Sequence, residues 1–217
     1  MQNYHQPLMP SQAYHLFSRA VGREKLFIEE KNYSYFLDRL NFHTGTIADI
    51  FTYALLPNHF HLLVRIKPAE IIINHFEIIK KKKFDPRNYD ISDFIMERFS
   101  NLLNSYTKSV NKMYNRKGAL FIDYLKRTKV EKESDFASYL FYIHKNAVHH
   151  NYSKKIGDWK FDAFQSLTSN KPTNLLRAEI LEWFGGKEKF VEFHNQPIHV
   201  KPKEFEVSQT YKVLKTL

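Results

Sequence analysis

The segment Leu55-Leu56-Pro57-Asn58-His59-Phe60-His61-Leu62-Leu63-Val64 carries the clearest structural pattern in the chain. Side chains alternate along a β-strand, so His59 and His61 point to one face. Phe60, Leu62 and Val64 point to the other face, where they would anchor the strand against helices. Imidazoles about 7 Å apart along a strand can converge on one cation. The same alternation also fits polar residues on a solvated sheet face, and eleven histidines make chance pairs common.

Apolar periodicity and turn residues on both sides of this segment predict an α+β fold. The predicted strands are residues 14–21, 46–56, 59–66 and 119–130. The predicted helices are residues 29–43, 95–113 and 134–149, with Gly118 after the second and Ser134 as N-cap of the third. The order βαββαβ, followed by a helix, is typical of a ferredoxin-like antiparallel sheet with helices on one face. The other face can stay open for a ligand.

The remaining segments are less regular. Residues 68–93 are expected to form a basic segment outside the sheet, in which residues 71–79 fit a short helix. We expect an N-terminal arm at residues 1–13, a main domain at residues 14–152 and a C-terminal extension at residues 153–217. The extension is predicted to be helical at residues 177–184, before Gly185 and Gly186, and to end in a flexible tail.

Composition and charge restrict the class of protein. The chain has no cysteine, which excludes disulfides and thiolate zinc sites. No apolar run reaches the ~18 residues that span a bilayer, so we expect a cytoplasmic protein with no membrane partner. The net charge of +10, together with 13 Tyr and 19 Phe, favours a nucleic-acid partner, although most aromatic residues are expected to be core.

The basic residues in the loops and near the last strand are the candidates for DNA contact. They are Lys80, Lys81, Lys82, Lys83, Arg87, Arg116, Lys117, Lys126, Arg127 and Lys129. Solvated surface charge explains any one of them equally well. As a group they predict an affinity that falls steeply with salt.

The predicted helix at residues 134–149 carries a polar face beside its apolar stripe. Tyr142 and Asn146 lie one turn apart on that face, so a phenol and a carboxamide can reach one site. The amide oxygen of Asn146 suits Mg²⁺ or Mn²⁺ as a third ligand, and Tyr142 could attack a phosphate that the metal polarises. Taken alone, the pattern fits better a half-buried tyrosine beside an exposed asparagine.

Two motifs together resemble a known family. Residues 57–64 are similar to the PNHxHLL strand of the HUH-type single-tyrosine transposases, and residues 142–148 are similar to their YIHxNPV helix. The resemblance covers about residues 14–152, and the chain length is closest to the REP-associated tyrosine transposases. Ala147 departs from the usual proline of the helix motif and leaves the ligand and nucleophile positions intact.

The resemblance implies a metal-dependent enzyme of DNA transposition and recombination. His59 and His61 would be metal ligands, Asn146 a third ligand for Mg²⁺ or Mn²⁺, and Tyr142 the nucleophile. The substrate would be single-stranded DNA beside a hairpin, cut and rejoined through a 5′-phosphotyrosine intermediate. His144 and His149 are candidates to help deprotonate the phenol.

Three other functions remain open, as does the oligomeric state. The chain could be a domesticated protein that binds hairpin DNA without cutting it, or an RRM-like RNA-binding module on the same sheet topology. It could also be a replication or plasmid-mobilisation initiator with the same chemistry, although such proteins are often longer. Both a monomer and a homodimer fit the resemblance.

Overall fold

A computed structural model of the chain describes residues 5–122 and 124–196. The strands are β1 (Ala13–Arg19), β2 (Ala48–Leu56), β3 (His59–Ile66) and β4 (Lys126–Lys129). Within these residues the helices are α1 (Glu30–Thr44), α2 (Ala69–Lys80), α3 (Ile91–Met113), α4 (Glu133–His149), α5 (Phe164–Thr168), α6 (Arg177–Phe184) and α7 (Lys187–Asn195).

The four strands form one antiparallel sheet in the order β2-β3-β1-β4. This is the ferredoxin-like arrangement, with α1 in the first crossover and the pair α2 and α3 in the second. The predicted α+β fold is therefore confirmed. The strand that holds the two histidines, β3, is central and pairs with both β1 and β2 over its length, which fixes its register.

The first face of the sheet packs on α1, α2 and α3. Phe60, Leu62 and Val64 of β3 are fully buried there, as their alternation predicted. The long helix α3 begins after Asp90, whose side chain accepts a hydrogen bond from the Ser92 amide at 2.8 Å. This core holds β3 through the apolar side chains on its first face, and the two histidines lie on the second face of the sheet.

The second face is also covered over most of its area. Leu63 of β3 and Leu56 of β2 pack in a second core with Leu140 and Ile143 of α4 and with α5, α6 and α7. The expectation that this face stays open therefore holds only at the end near His59. The apolar stripe of α4 packs against the apolar side chains on this face and buries them. A broad open sheet of the kind that RRM domains use is not present in the described residues.

Three local features differ from the sequence-based expectations. Strand β4 is shorter than predicted. The chain before it does not form a regular ladder with β1 and contacts the segment after β1 only through single hydrogen bonds, such as Val21 N–H to Leu120 O at 3.0 Å. Helix α4 begins after Lys132 rather than at Ser134, and the Asp135 carboxylate accepts from the Lys132 amide at 3.1 Å. Helices α5 and α7 were not predicted.

The segments outside the sheet have different outcomes. The predicted helix at residues 71–79 is α2, and the predicted helix at residues 177–184 is α6, which ends at Gly185 with a left-handed φ of 76°. No helix among the described residues is long and apolar enough to cross a membrane. The predicted tail lies outside the described residues, and the division into segments 1–13, 14–152 and 153–217 stays a prediction.

Candidate active site

The two histidines of β3 line a cleft at the uncovered end of the second face. His59 and His61 have ring centroids 5.3 Å apart, which confirms that they share one face of the strand. The cleft has a volume of about 270 Å³. Its lining residues are Phe17, Ser18, Arg19, Asn58, His59, His61, Ile122, Tyr124, Lys126, Tyr142 and His150.

Tyr142 of α4 lies in the same cleft. Its ring stands edge-on to the His61 ring, with the centroids 5.3 Å apart and an interplanar angle of 82°. Helix α4 crosses the sheet because Leu140 and Ile143, on its apolar stripe, are fully buried in the second core. The stripe turns Tyr142 towards β3, so one chain brings the phenol and both imidazoles together.

Asn146, one turn further along α4, contacts His59 directly. Its side-chain oxygen Oδ1 lies 2.8 Å from Nε2 of His59. Asn146 is fully buried, which overturns the alternative of an exposed asparagine. Its amide nitrogen Nδ2 is buried and has no hydrogen-bond partner among the described residues, which costs stability unless the side chain serves a function.

The surroundings of His59 fit a cation. Nδ1 of His59 lies 2.8 Å from Oδ1 of Asn58, while Nε2 faces Oδ1 of Asn146 at the same distance. Burial lowers the pKa of His59 to about 4, so the ring is neutral at pH 7 and carries one N–H. One of its two nitrogens therefore points a lone pair at an amide oxygen. A shared cation satisfies both lone pairs.

These donors suit a divalent ion. Imidazole nitrogen and amide oxygen both bind Mn²⁺, and oxygen donors suit Mg²⁺. Among residues 5–122 and 124–196 no group of three or more His, Cys, Asp or Glu side chains is arranged to hold a metal. A site here therefore needs the amide of Asn146 beside His59 and His61.

The sequence did not single out His15 of β1, which lies directly beside His61. Nε2 of His15 is 2.9 Å from Nδ1 of His61, and both residues are buried. Burial lowers the pKa of His15 to about 3. The alternation of β1 placed His15 and Phe17 on one face, but the contact with His61 depends on the pairing register of β1 and β3.

Positive charge enters the cleft from β1 and β4. Arg19, at the end of β1, and Lys126, at the start of β4, both line it. Lys126 is the one member of the predicted DNA-binding set among the lining residues. Tyr124 also lines the cleft, and 76% of its surface is exposed.

The lysine run lies far from the cleft. Lys80 pairs with Glu97 near the start of α3, whereas residues after the end of α3 lead towards the cleft. Helix α3 has 23 residues and is therefore about 34 Å long. Lys83 pairs with Glu77, and Arg87 pairs with Asp85. Lys81, Lys82 and their neighbours would contact DNA only if the DNA extends from the cleft to the loop between α2 and α3.

The other predicted basic residues have different environments. Arg116 pairs with Glu24 and Lys117 is exposed, both in the loop after α3. Arg127 is buried on the first face, and its guanidinium donates to the backbone carbonyls of Gln6, His5 and Leu125. These bonds give Arg127 a structural role in holding the N-terminal arm. Lys129 pairs in register with Tyr14 on that same face.

Neither imidazole expected to assist Tyr142 is placed to do so. His144 is fully buried in the second core, where it bonds to Thr52 at 2.6 Å and to His194 at 2.9 Å. His149 is exposed outside the cleft, and its neighbour His150 lines the cleft instead, with its ring 4.8 Å from that of His59. Helix α4 therefore directs His149 towards solvent and away from the cleft.

The buried neutral histidines predict acid-sensitive folding. Burial lowers the pKa of His15 to about 3 and that of His59 and His194 to about 4, and it holds those of His61 and His144 well below the usual value. The unfolded chain therefore takes up more protons than the folded chain as the pH falls below about 6.5.

Each such group then removes about 1.4 kcal/mol of stability per pH unit within its window. We expect the melting temperature of the metal-free protein to be steady above pH 7 and to fall steeply between pH 6.5 and pH 4. Circular dichroism melts across this range measure it. A melting temperature that is constant down to pH 4.5 would contradict the burial of these neutral rings.

The comparisons with known proteins concern the fold. Six chains of solved structures match, and one of them is a REP-associated tyrosine transposase bound to a REP hairpin. It aligns with a TM-score of 0.58 and 13% identity over 79% of this chain and 89% of that chain. The resemblance drawn from the two motifs is therefore matched by a shared fold. No protein-family model and no curated protein matches the chain.

Proposed function

We propose that this protein is a transposase-like enzyme that cuts and rejoins single-stranded DNA beside a hairpin, with Tyr142 as the nucleophile. The observation that carries the proposal is the meeting of Tyr142, His61 and the His59–Asn146 pair in one cleft. The fold shared with a hairpin-bound tyrosine transposase supports the choice of DNA as the partner.

His59, His61 and Asn146 would hold a divalent ion, Mg²⁺ or Mn²⁺. The ion would supply positive charge against the non-bridging oxygens of the scissile phosphate. The core beneath β3 holds both imidazoles in place, and the burial of Asn146 fixes the amide. Rigid placement of this kind lets the side chains meet a phosphate without reorganisation.

Tyr142 would form the covalent bond. Its phenolic oxygen attacks the phosphorus, the bond to the 3′ oxygen breaks, and the strand leaves with a free 3′-hydroxyl. The product is a 5′-phosphotyrosine ester, which conserves the energy of the phosphodiester. A 3′-hydroxyl from a second strand can reverse the step without ATP, so the same site serves cutting and joining.

Two basic side chains line the same cleft as Tyr142. The unperturbed pKa of a phenol is about 10, so the proton must leave as the attack proceeds. Arg19 and Lys126 line the same cleft and bring positive charge to the developing phenolate and to the phosphate. Arg19 is on β1, which pairs with β3, and Lys126 is on β4, which pairs with the other edge of β1.

DNA affinity should depend strongly on salt. With a net charge of +10, we expect hairpin binding to weaken by orders of magnitude between low and physiological salt. Lys126→Gln should reduce the slope of log Kd against log salt by about 1, as expected for one lost phosphate contact. Lys82→Gln, in the loop between α2 and α3 and outside the cleft, is the matched control and should change the slope less. Fluorescence anisotropy with a labelled hairpin measures both, and equal slopes for all three proteins would count against a phosphate contact by Lys126.

The direct experiment is a search for a protein–DNA adduct. Hairpins with single-stranded flanks, taken from palindromes beside the gene, are incubated with the protein and Mn²⁺ or Mg²⁺ and separated on a denaturing gel. We expect a metal-dependent covalent band. Tight hairpin binding without an adduct, for every flank and both metals, would favour the domesticated, non-cutting protein instead.

One chain contains every residue that the proposed reaction uses. Tyr142 reaches the histidines of its own β3 in this structure, so the site does not require a helix from a second copy. A monomer and a homodimer both remain compatible with the proposal.

A further inference from the structure

A hydrogen-bonded pair of imidazoles lies at the base of the cleft. Nε2 of His15 is 2.9 Å from Nδ1 of His61, and the two rings are stacked with centroids 5.1 Å apart. His15 is 5% exposed and His61 is 6% exposed, so water does not compete for this bond. Phe17 and Tyr139 pack against the His15 ring at 5.0 Å and 4.7 Å and hold it in place.

The bond couples the tautomers of the two rings. A neutral imidazole has one N–H and one lone pair. If His15 donates, the lone pair of His61 at Nδ1 is used, and the proton of His61 sits on Nε2. If His61 donates from Nδ1, its Nε2 keeps a lone pair. Since His61 lines the cleft, only the second arrangement offers a ligand there.

We propose that His15 is a positioning residue that accepts a hydrogen bond from Nδ1 of His61 and so holds His61 in the tautomer that binds a divalent cation through Nε2. The inference rests on the proposed function, because it assumes that His61 is a metal ligand. Metal-binding histidines commonly donate their second N–H to a fixed acceptor, which orients the ring and strengthens the ligand. Here the acceptor is the buried imidazole of His15 on the neighbouring strand β1.

The test is Mn²⁺ binding by the full-length protein without DNA. His15→Leu removes the acceptor, and we expect Mn²⁺ affinity to fall by about 10- to 100-fold. His15→Gln should recover most of the affinity, because its amide oxygen can accept from Nδ1 of His61 at a similar reach. Isothermal titration and the electron paramagnetic resonance signal of free Mn²⁺ both report the change.

The chain provides a matched control for the loss of a buried histidine pair. His194 bonds to His144 at 2.9 Å in the second core, away from the cleft, and is as buried as His15. His194→Leu breaks this equivalent bond and should leave Mn²⁺ affinity unchanged. An equal loss of affinity in His194→Leu and His15→Leu would reduce the role of His15 to general stability and overturn the inference.

A second readout observes the tautomer itself. Long-range ¹H–¹⁵N spectra with Mg²⁺ should show His61 protonated at Nδ1 in the wild type and in His15→Gln, and no longer held in that form in His15→Leu. A wild-type His61 protonated at Nε2 would overturn the inference. So would undiminished Mn²⁺ binding by His15→Leu, which leaves the proposed function standing. A wild type that binds neither ion would overturn both.

Discussion

Tyr142→Phe should abolish the covalent protein–DNA adduct, with a loss of about three orders of magnitude or more in the rate of its formation. The substitution removes one oxygen and keeps the ring that stands edge-on to His61. Packing in the cleft and the fold of α4 are therefore preserved. We expect hairpin affinity and melting temperature to match the wild type, so that the defect lies in the chemical step alone. Single-turnover gels with Mn²⁺ measure the rate.

Tyr139 supplies the control for this experiment. It lies on the same helix one turn before Tyr142, and its ring contacts His15 at 4.7 Å. Tyr139→Phe makes the same chemical change beside the same group of rings, and we expect it to retain adduct formation. Full adduct formation by Tyr142→Phe would refute the assignment of the nucleophile. Loss of the adduct in Tyr139→Phe alone would move the assignment to Tyr139.

His59→Ala combined with His61→Ala should remove both metal binding and cleavage. Two of the three proposed ligands are lost, and Asn146 alone cannot hold a divalent ion against water. Adduct formation should fall below detection with Mg²⁺ and with Mn²⁺. Hairpin affinity measured in chelator should be retained, because phosphate binding by the basic side chains requires neither the metal ion nor these two imidazoles.

His75→Ala is the matched control for the histidine substitutions. His75 is a partly buried histidine on α2, with its ring 5.9 Å from that of Phe94, in the first core and outside the cleft. Its loss should leave Mn²⁺ affinity and cleavage intact. Unchanged cleavage by the double variant, with a folded protein confirmed by its melting curve, would remove the metal role from His59 and His61.

The sequence predicted the site well where the periodicity of one strand or helix determines on which face a side chain lies. The alternation in β3 placed His59 and His61 on one face, and the helical spacing in α4 placed Tyr142 and Asn146 on another. Both patterns involve residues within one element. That the two faces meet in one cleft follows from how α4 packs across the sheet, and the motif resemblance predicted this meeting.

Features that depend on contacts between distant segments escaped the sequence. The bond from His15 to His61 requires the register of β1 against β3, and the burial of Arg127 requires the N-terminal arm to lie against β4. Charge alone could not separate Lys126, which lines the cleft, from the lysine run, which does not. Helix α5 is five residues long, too short for a periodic pattern to show.

The most direct test of the shared pocket is to locate the covalent bond by mass spectrometry. The adduct formed with Mn²⁺ is digested with nuclease and trypsin, and the peptide of residues 133–145 contains both Tyr139 and Tyr142. Fragment ions separate the two positions. We predict that the nucleotide phosphate is on Tyr142. A phosphate on any other residue, or an adduct that forms equally well in His59→Ala and His61→Ala proteins, would contradict a site built from this phenol and these imidazoles.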